Sequence, residues 1–425
     1  MVLCVRRLDN TALSPYSERG MKFPFLLVLA AALCGCGESS GRIILYTNRQ
    51  EIAVYAETFN SMQDRHRLEI HYRENTPSAL DFSTEVPDLV IMDNLSGETS
   101  AKRFVSLDSL FGGSGIDRRA FYASLLRAGQ REKKQTLIPV SFNLPALMFD
   151  ARISGDEASL FMINLESLAE KAAAANRKND SAYLSMGFAP RWNSDFLVQA
   201  SLMRGAAFKE SPETLLAWDG ESLDKTLEYF LSWSEKYNGG GAAEITFAEK
   251  YLYDPPYRQL ALGRIKYAYT TAADFFLVPE SYRNFLDVKW LSHAGKITAT
   301  ERILFAGIPQ GADNARGAEA FLRWFFCVPT QSLLLEKSRE KMPGVFGIAS
   351  GFSSLKEINE KHLPLRDSAL SGFAPPEDVL VFPAPVPYLW NRIKTQVLVP
   401  WMQKRISPGG QHPEDLAALF QGWLQ

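Results

Sequence analysis

The stretch Ile43-Ile44-Leu45-Tyr46-Thr47 is the part of the sequence that decides the fold class. It is a short apolar run, typical of a strand that is buried on both faces. Apolar residues then recur at helical spacing over residues 52–59, alternate with polar ones over residues 68–72, and form a second buried run over residues 88–92. This strand, helix, strand, strand order predicts an α/β layer with parallel strands.

Polar side chains follow the first and last of these strands. Asn48 and Arg49 lie in the loop 47–50, and Asp93 and Asn94 lie in the loop 93–97. Because ligands of open α/β sheets bind beyond the carboxyl ends of the strands, both loops are candidate ligand contacts. Each pair also has a local role as the alternative to ligand contact. Asn48 would cap the following helix beside a solvated Arg49, and Asp93-Asn94 would form a turn.

Length and composition indicate a two-lobed globular protein. Without a signal segment, about 390 residues remain, which is more than one ordinary core holds. Apolar residues make up 46% and charged residues 22% of the chain, which excludes gross disorder. The net charge of −2 offers no basic surface, so we expect no nucleic-acid partner.

Residues 136–150 are predicted to cross between the lobes. Two short apolar runs flank Ser141-Phe142-Asn143, and each contains a proline. Proline is found at strand starts and edges, which favours an extended crossing over a central strand. Asn143 then faces the cleft between the lobes, the alternative being an amide on an edge strand.

The rest of the chain mixes helices and strands. Helices are predicted over residues 160–175, 195–203, 212–218 and 223–237, with Gly239-Gly240-Gly241 ending the last of them. Strands are predicted within residues 261–270 and 303–308. Two amphipathic helices follow, around residues 318–325 and 416–423.

The N-terminal region has the pattern of an export signal. Leu33-Cys34-Gly35-Cys36 closes an apolar run that is too short to span a bilayer and that follows Met21-Lys22. It resembles the lipobox of bacterial lipoproteins, which implies a signal peptide over residues 1–35, diacylglycerol on Cys36 and a tether over residues 36–41. An ordinary signal peptide is the alternative. Translation starts either at Met21 or, with a longer n-region, at Met1.

Cysteine usage agrees with that processing. Cys4 and Cys34 are lost with the signal and Cys36 carries the lipid, so only Cys327 remains, in an apolar run. No disulfide is therefore expected, despite export.

Motifs for catalysis are missing from the sequence. The five histidines are scattered, and there is no His-Glu-x-x-His, Cys/His cluster, Gly-x-Ser-x-Gly or phosphate-binding glycine loop. We therefore predict no enzyme activity, no metal site and no cofactor.

Several segments together resemble the bacterial extracellular solute-binding proteins of family 1 type, the sugar-binding lipoproteins of ABC importers. The matching segments are residues 43–59, 87–93, 138–145, 263–270 and 307–326. The resemblance implies a two-lobe α/β fold, periplasmic-binding-protein type II, with a ligand cleft and several hinge crossings. It places lobe one at residues 37–140 plus 292–335 and lobe two at residues 145–290 plus 336–425. Residues 151–185 and 360–386 match no pattern of the family.

The resemblance also implies ligand contacts from lobe two. Trp192 and Trp390 are placed like stacking aromatics, and Thr270 and Thr271 lie in a loop that contributes contacts. Core packing is the alternative for either tryptophan. The Gly-x-Trp feature that the family has beside this loop is replaced by Ala272-Ala273-Asp274-Phe275.

The function that follows is a lipid-anchored, exported receptor that acts as a monomer. It would deliver a small solute, first a sugar or oligosaccharide, to ABC permease subunits by closing its lobes. Ferric iron is an alternative, although the adjacent tyrosine pair of iron-binding members is missing. Polyamines or small acids are a further alternative ligand, and Asp93 and Asp274 would be their contacts. A non-transport surface interaction lipoprotein is the alternative from a different class.

Overall fold

The computed structural model describes residues 41–113, 115–153, 155–180, 182–366, 372–409 and 415–425. The predicted signal segment, the lipidation residue Cys36 and all but the last residue of the tether lie outside the described residues. The strands are β1 Gly41–Thr47, β2 His66–Tyr72, β3 Leu89–Asp93, β4 Gln130–Arg131, β5 Lys134–Gln135, β6 Ile138–Phe142, β7 Pro145–Asp150, β8 Met162–Asn164, β9 Arg177–Asn179, β10 Ala182–Ser185, β11 Lys209–Ser211, β12 Leu215–Ala217, β13 Ala268–Thr271, β14 Leu286–Ser292, β15 Ile297–Thr298, β16 Leu304–Gly307, β17 Phe352–Ser353 and β18 Leu380–Val381.

The α-helices vary from single turns to nineteen residues. They are α1 Ile52–Met62, α2 Thr76–Ala79, α3 Glu98–Ala101, α4 Ala123–Arg127, α5 Leu165–Ala173, α6 Ser194–Met203, α7 Gly220–Asn238, α8 Gly241–Tyr251, α9 Pro256–Ala261, α10 Ala272–Leu277, α11 Glu280–Arg283, α12 Ala315–Phe325, α13 Val328–Lys341, α14 Leu363–Arg366, α15 Trp390–Ile393, α16 Val399–Arg405 and α17 Leu416–Leu424. Two π-helical segments occupy Ile358–His362 and Lys394–Leu398.

The first sheet has six strands in the order β17-β6-β16-β3-β1-β2. β1 pairs in parallel with β2 and β3, which confirms the parallel layer predicted from the opening strand, helix, strand, strand order. All five residues of β3 are buried, as expected for a strand covered on both faces. β16 returns antiparallel to both β3 and β6.

The second sheet has four strands in the order β13-β7-β14-β8. β7 pairs antiparallel with β13 and β14, and β14 pairs in parallel with β8. One hydrophobic core includes the first sheet and part of the second, and a separate core gathers Phe196, Trp233, Trp390 and their neighbours around α6 and α7.

The chain crosses between the two sheets at residues 142–145, as predicted, but both runs there are interior strands. β6 lies between β17 and β16, and β7 lies between β13 and β14. The prediction that proline keeps these runs out of the sheet interiors was therefore wrong. Pro139 is tolerated because the pairing register with β16 shifts between Leu304 and Phe305, and Pro145 is the first residue of its strand.

Two further crossings lie beside the first. The amide of Thr300 donates to the carbonyl of Asn143 at 2.9 Å, and the amide of Ala299 donates to the carbonyl of Val381 at 2.8 Å. β15 and β18 form a short parallel ribbon at the same place. Three segments of the chain are thus joined side by side where the two sheets meet, which agrees with the predicted multiple hinge crossings.

Most predicted helices are present, and their ends have clear causes. Asp219 caps α7 by accepting from the amide of Ser222 at 2.7 Å, and Gly239 ends it with φ of 76°. Asn314 caps α12, whose buried face includes Phe321 and Phe325. The helix predicted over residues 212–218 was wrong, because this segment forms β12 and pairs with β11.

The two π-helical segments share one cause. A proline follows each within two residues, Pro364 in α14 and Pro400 in α16. Proline lacks the amide of a regular helical turn, and its ring clashes with the carbonyl four residues earlier. A wider turn before the proline relieves that clash and changes the direction of the side chains that precede it.

The predicted lobe boundaries stay a prediction. Most strands of the first sheet fall in the ranges assigned to lobe one. β17 falls in a range assigned to lobe two, yet it pairs with β6 of the first sheet.

Candidate functional site

A cavity of about 580 Å³ opens where the two sheets meet, and we call it the cleft. Arg49, which follows β1, and Leu304, which pairs with the last residue of β3, belong to its first-sheet wall. Thr270 and Thr271 of β13 belong to its second-sheet wall. The cleft therefore lies beyond the carboxyl ends of β1 and β3, where ligands of α/β sheets bind.

The walls of the cleft combine apolar side chains with several charged ones. Among the described residues, its charged side chains are Arg49, Asp195, Asp274, Glu301, Arg302 and Lys394. Five of them belong to two clusters of ion pairs, one that includes Arg302 and one that includes its neighbour Glu301, whereas Asp274 belongs to neither.

The first cluster, the Asp93 cluster, is built on a fully buried carboxylate. Oδ2 of Asp93 accepts from Nη2 of Arg49 at 3.3 Å and from Nε of Arg302 at 3.2 Å. The hydroxyl of Thr76 donates to the backbone carbonyl of Asp93 at 2.9 Å and also lies 3.3 Å from Oδ1. One carboxylate thus holds two guanidinium groups, and the burial of its charge is compensated by direct partners.

The second cluster, the Glu301 cluster, lies toward the second sheet. Nζ of Lys394 contacts Oε1 of Glu301 at 2.7 Å and Oδ1 of Asp195 at 3.1 Å. The indole N–H of Trp390 donates to the same Glu301 oxygen at 3.2 Å. Lys394 is the first residue of a π-helical segment, so the wider turn helps to set the direction of its side chain.

Both members of the buried Glu301–Lys394 pair are charged at neutral pH. Burial alone would raise the pKa of Glu301, but the Lys394 ammonium and the indole hydrogen bond hold that pKa below its ordinary value. Burial alone would lower the pKa of Lys394, but the carboxylates of Glu301 and Asp195 raise it. In the Asp93 cluster, burial lowers the pKa of Arg49, while Asp93 raises the pKa of Arg302 against the effect of burial.

Uncharged polar groups complete the walls. Thr271 accepts from the amide of Asp274 at 3.2 Å and donates to its carboxylate at 2.7 Å, which caps α10. The amide group of Asn143 donates to the carbonyl of Ser350 at 3.3 Å and accepts from the amide of Leu144 at 3.0 Å. Asn143 thus lines the cleft while its side chain joins segments that are far apart in the chain.

Few aromatic faces are available in the cleft. Phe142 and Tyr269 belong to its lining but are 2% and 8% exposed. Tyr257 is half-buried and packs on Tyr282 at 4.8 Å between ring centroids. Among the described lining residues, Tyr257 is the aromatic side chain best placed to cover an apolar face of a ligand.

A strained loop also contributes to the cleft. Ala349 and Ser350 both have positive φ, at 48° and 58°, a conformation that costs free energy in residues other than glycine. The amide of Ala349 donates to the hydroxyl of Tyr55 at 2.8 Å, and Ser350 donates to Glu51. These bonds to α1 and to the residue before it hold the loop at the edge of the cleft.

The structure brings some of the predicted site residues together and not others. Arg49, Asn143, Thr270 and Thr271 line the cleft, and Asp93 lies directly behind Arg49. Asn48 and Asn94 do not line it. The side-chain oxygens of both have no hydrogen-bond partner among the described residues, and Asn94 instead borders a small cavity behind Glu301.

Neither predicted tryptophan lies in the cleft wall. Trp390 is fully buried, packs on Phe208, and supports Glu301 from behind. Trp192 stacks on Phe247 at 5.4 Å between centroids and donates to the carbonyl of Glu244 at 3.2 Å. Trp390 therefore has the core role that tryptophan most often has, and Trp192 is partly buried and packs against the core.

Sequence reasoning missed Glu301, Arg302, Lys394, Asp195 and Tyr257. Glu301-Arg302 directly precedes a buried strand, whereas Asn48 and Arg49 directly follow one. Polar residues next to a buried apolar run are the sequence signal that both pairs share. Lys394 offered no comparable signal, because it reaches Glu301 only through packing of the C-terminal helices on the second sheet.

Two kinds of feature are missing from the described part of the protein. Within the described ranges, no helix has both the length and the apolar character needed to cross a membrane. In the same part of the chain, no group of three or more His, Cys, Asp or Glu side chains is arranged to hold a metal ion.

Comparison with known proteins gives matches only among solved structures. No family model matches the sequence, and no curated protein matches it. The GacH receptor of Streptomyces glaucescens, whose crystal structures include a complex with acarbose, is 13% identical, with a TM-score of 0.63 over 91% of this chain and 97% of that one. The ABC substrate-binding protein Lmo0181 from Listeria monocytogenes, in complex with cycloalternan, is 12% identical, with a TM-score of 0.61 over 91% and 98% of the two chains.

A third solved structure matches over a similar share of both chains. CpMnBP1 with mannotriose bound is 14% identical, with a TM-score of 0.60 over 91% of this chain and all of that one. The predicted two-lobe α/β fold is thereby confirmed, and the resemblance to sugar-binding ABC solute receptors is confirmed at the level of the fold.

Proposed function

We propose that this protein is an extracytoplasmic receptor that binds a saccharide in the cleft and delivers it to an ABC importer. The observation that carries the proposal is a cleft of about 580 Å³, with several charged side chains, between two sheets joined by three crossings. A cavity of that size suits a small solute. The three similar proteins named above have each been solved with a saccharide or an acarbose-type compound, which supports the choice of ligand class.

The mechanism we propose is closure of the lobes around the ligand. Hydroxyl groups of the saccharide would bond to Thr270, Thr271 and Asp274 on one wall and to Arg49 on the other. A ligand held by both walls binds the closed state better than the open one and so shifts the equilibrium toward closure. The closed form is the signal that permease subunits would read. No catalytic step is part of this proposal.

Binding is tested by thermal denaturation of the purified protein with neutral saccharides, sugar acids, polyamines and ferric salts. A ligand at 100 times its Kd adds about 2.7 kcal/mol to the free energy of unfolding. We expect a saccharide to raise the melting temperature. Stabilisation by polyamines or iron alone, or by nothing in the panel, would contradict the proposal, and the last result would favour a non-transport interaction lipoprotein.

The position of the ligand is tested with a matched pair of tyrosines. Tyr257 lines the cleft, whereas Tyr253 is 80% exposed and does not. We expect Tyr257→Ala to weaken saccharide binding about fivefold to tenfold, because an aromatic contact contributes on the order of 1 kcal/mol. Tyr253→Ala should leave binding unchanged. Equal effects of the two substitutions on the Kd would show that the ligand does not bind in the cleft.

Anchoring is a separate part of the proposal and rests on the sequence around Cys36. Two acyl chains on one thiol hold a protein stably on a membrane, which one chain does not. We expect intact protein made in a bacterial host to carry diacylglycerol, seen as added mass on the N-terminal peptide. Cys36→Ser should abolish the added mass and Cys34→Ser should not. The unmodified N-terminal peptide in the unaltered protein would refute the anchor and leave the receptor proposal standing.

A further inference from the structure

The first-sheet wall of the cleft holds two arginine side chains on one carboxylate. The further carboxylates that act on them are Glu51 on Arg49, and Glu301 and Asp195 on Arg302. Arg49 and Arg302 share the single carboxylate of Asp93, so the Asp93 cluster has a net charge of about +1 at neutral pH. Among the described residues, Arg49 and Arg302 are the cations that contact Asp93, and the neutral hydroxyl of Thr76 lies 3.3 Å from its other oxygen. A negatively charged group of a ligand would pair with the donors that remain free on Arg302.

Arg302 also has unused donors. It contacts Asp93 through Nε alone, and among the described residues its two terminal nitrogens have no hydrogen-bond partner. The side chain is 49% exposed and lines the cleft. The free edge of a guanidinium is a planar fork that matches a carboxylate through two parallel hydrogen bonds.

The position of this fork is set before any ligand binds. Asp93 is fully buried and is held by Thr76, so the carboxylate that orients Arg302 is itself fixed. A donor held in place loses little conformational freedom on binding, which increases affinity and specificity. Arg49 contacts the same carboxylate oxygen and adds its charge beside Arg302.

The opposite wall has the reverse charge. Lys394 is shared by two carboxylates, those of Glu301 and Asp195, and Asp274 adds an exposed carboxylate that no cation contacts among the described residues. These groups accept hydrogen bonds from hydroxyls and repel anions. A ligand with one negative group would therefore be oriented, with that group on Arg302 and its hydroxyls toward the second sheet.

We propose that the cleft is specific for an acidic saccharide, one that carries a carboxylate bound by the fork of Arg302 with Arg49 beside it. This inference rests on the proposed function, because it names the chemical class of the saccharide. Arg302 is then the residue that selects acidic over neutral sugars, and Asp93 is the residue that positions it.

The test compares sugars that differ in one group. Calorimetry on the unaltered protein measures Kd for galactose, galacturonate and galactosamine, and for glucose, glucuronate and glucosamine, as free sugars and as their disaccharides. We expect the uronate of at least one set to bind at least tenfold more tightly than its neutral partner. Its affinity should also fall with added salt more steeply than that of the neutral sugar.

A pair of arginine variants tests the role of Arg302. Arg302→Lys keeps the charge and loses the fork, so uronate binding should weaken about tenfold while binding of the neutral sugar changes little. Arg42→Lys is the control, because Arg42 is 53% exposed, is paired with Glu69 at 3.0 Å, and lies at the start of β1, away from the cleft. Arg42→Lys should leave every Kd unchanged. Melting temperatures confirm that both variants are folded.

Each other outcome counts against the inference. Neutral sugars that bind as tightly as uronates would overturn it and leave the saccharide receptor intact. Preference for the amino sugars would overturn it in favour of recognition by the carboxylates of the second-sheet wall. Failure of every sugar to bind would reject the proposed function as well. The comparison of sugars needs no variant, so it decides the matter even if Arg302→Lys does not fold.

Discussion

Glu301 and Lys394 are buried charges that depend on one another. Their side chains are 7% and 11% exposed, and their atoms approach to 2.7 Å. Such a pair adds little net stability over an apolar pair, but removal of one member leaves the other charge buried without a partner. The indole of Trp390 provides one hydrogen bond to Glu301 and no charge.

We therefore predict that Lys394→Met lowers the free energy of unfolding by about 3–5 kcal/mol. The double variant Lys394→Met with Glu301→Gln should recover much of this loss, because glutamine carries no charge to bury. Unfolding in urea, followed by tryptophan fluorescence, measures all three proteins. A double variant as unstable as Lys394→Met alone would show that lost packing, and not the unpaired charge, is the cause.

Lys225 is the control for this prediction. It forms an ion pair with Glu221 on the surface of α7, and the two side chains are 64% and 78% exposed. Because water already solvates both charges, Lys225→Met should leave the free energy of unfolding nearly unchanged.

At the scale of elements, the loop between α13 and β17 depends on a glycine. Gly347 has φ of 60°, and a Cβ built on it would approach the carbonyl oxygen of Gly351 to 2.1 Å. The same turn carries the strained residues Ala349 and Ser350 into the cleft. A side chain at position 347 would therefore disturb a wall of the cleft as well as the turn itself.

We predict that Gly347→Ala destabilises the protein by more than Gly263→Ala and also weakens ligand binding. Gly263 has nearly the same φ, 64°, but nothing lies within 4 Å of the position that a Cβ would take there. Gly263→Ala should thus cost only the backbone term of about 1 kcal/mol, whereas Gly347→Ala adds a backbone clash. Denaturation and calorimetry measure the two effects, and equal losses in both variants would mean that the turn relaxes freely.

At the scale of the whole molecule, the three crossings at Asn143, Thr300 and Val381 form the connection about which the lobes would move. They are joined by backbone hydrogen bonds and flanked by the Asp93 and Glu301 clusters. Side chains of Glu301 and Arg302, neighbours in one crossing segment, are bound by opposite walls of the cleft. A change in the angle between the walls therefore acts directly on these two residues.

We predict that saturating ligand decreases the radius of gyration, because closure brings the lobes together. Small-angle X-ray scattering with and without ligand measures the change. The Tyr257→Ala protein at the same ligand concentration is the control, and its radius should decrease less because its higher Kd leaves it less occupied. An unchanged radius of gyration with ligand bound would contradict closure of the lobes. It would not contradict the proposed position of the binding site.

The α/β layer could be predicted from local patterns. The buried runs of β1 and β3 and the helical spacing of α1 follow from the sequence, because strand and helix periods depend on neighbouring residues. The rule for carboxyl ends of strands then led to Arg49 and Asp93. The same reasoning failed at β6 and at residues 212–218, where pairing with distant strands overrode the local signal.

The sequence by itself thus determined the fold class and indicated the cleft edge near β1 and β3, while the export signal that ends before Cys36 stays a prediction. Only the tertiary structure decided which charged groups meet there. Glu301 meets Lys394 across 93 residues of chain, and Arg302 meets Asp93 across 209. It also placed Trp390 in the core, the alternative to the stacking role in the cleft that the family resemblance implied. The physical reason is that local periodicity records which face of an element is buried, whereas the partners of a buried charge depend on how the elements pack.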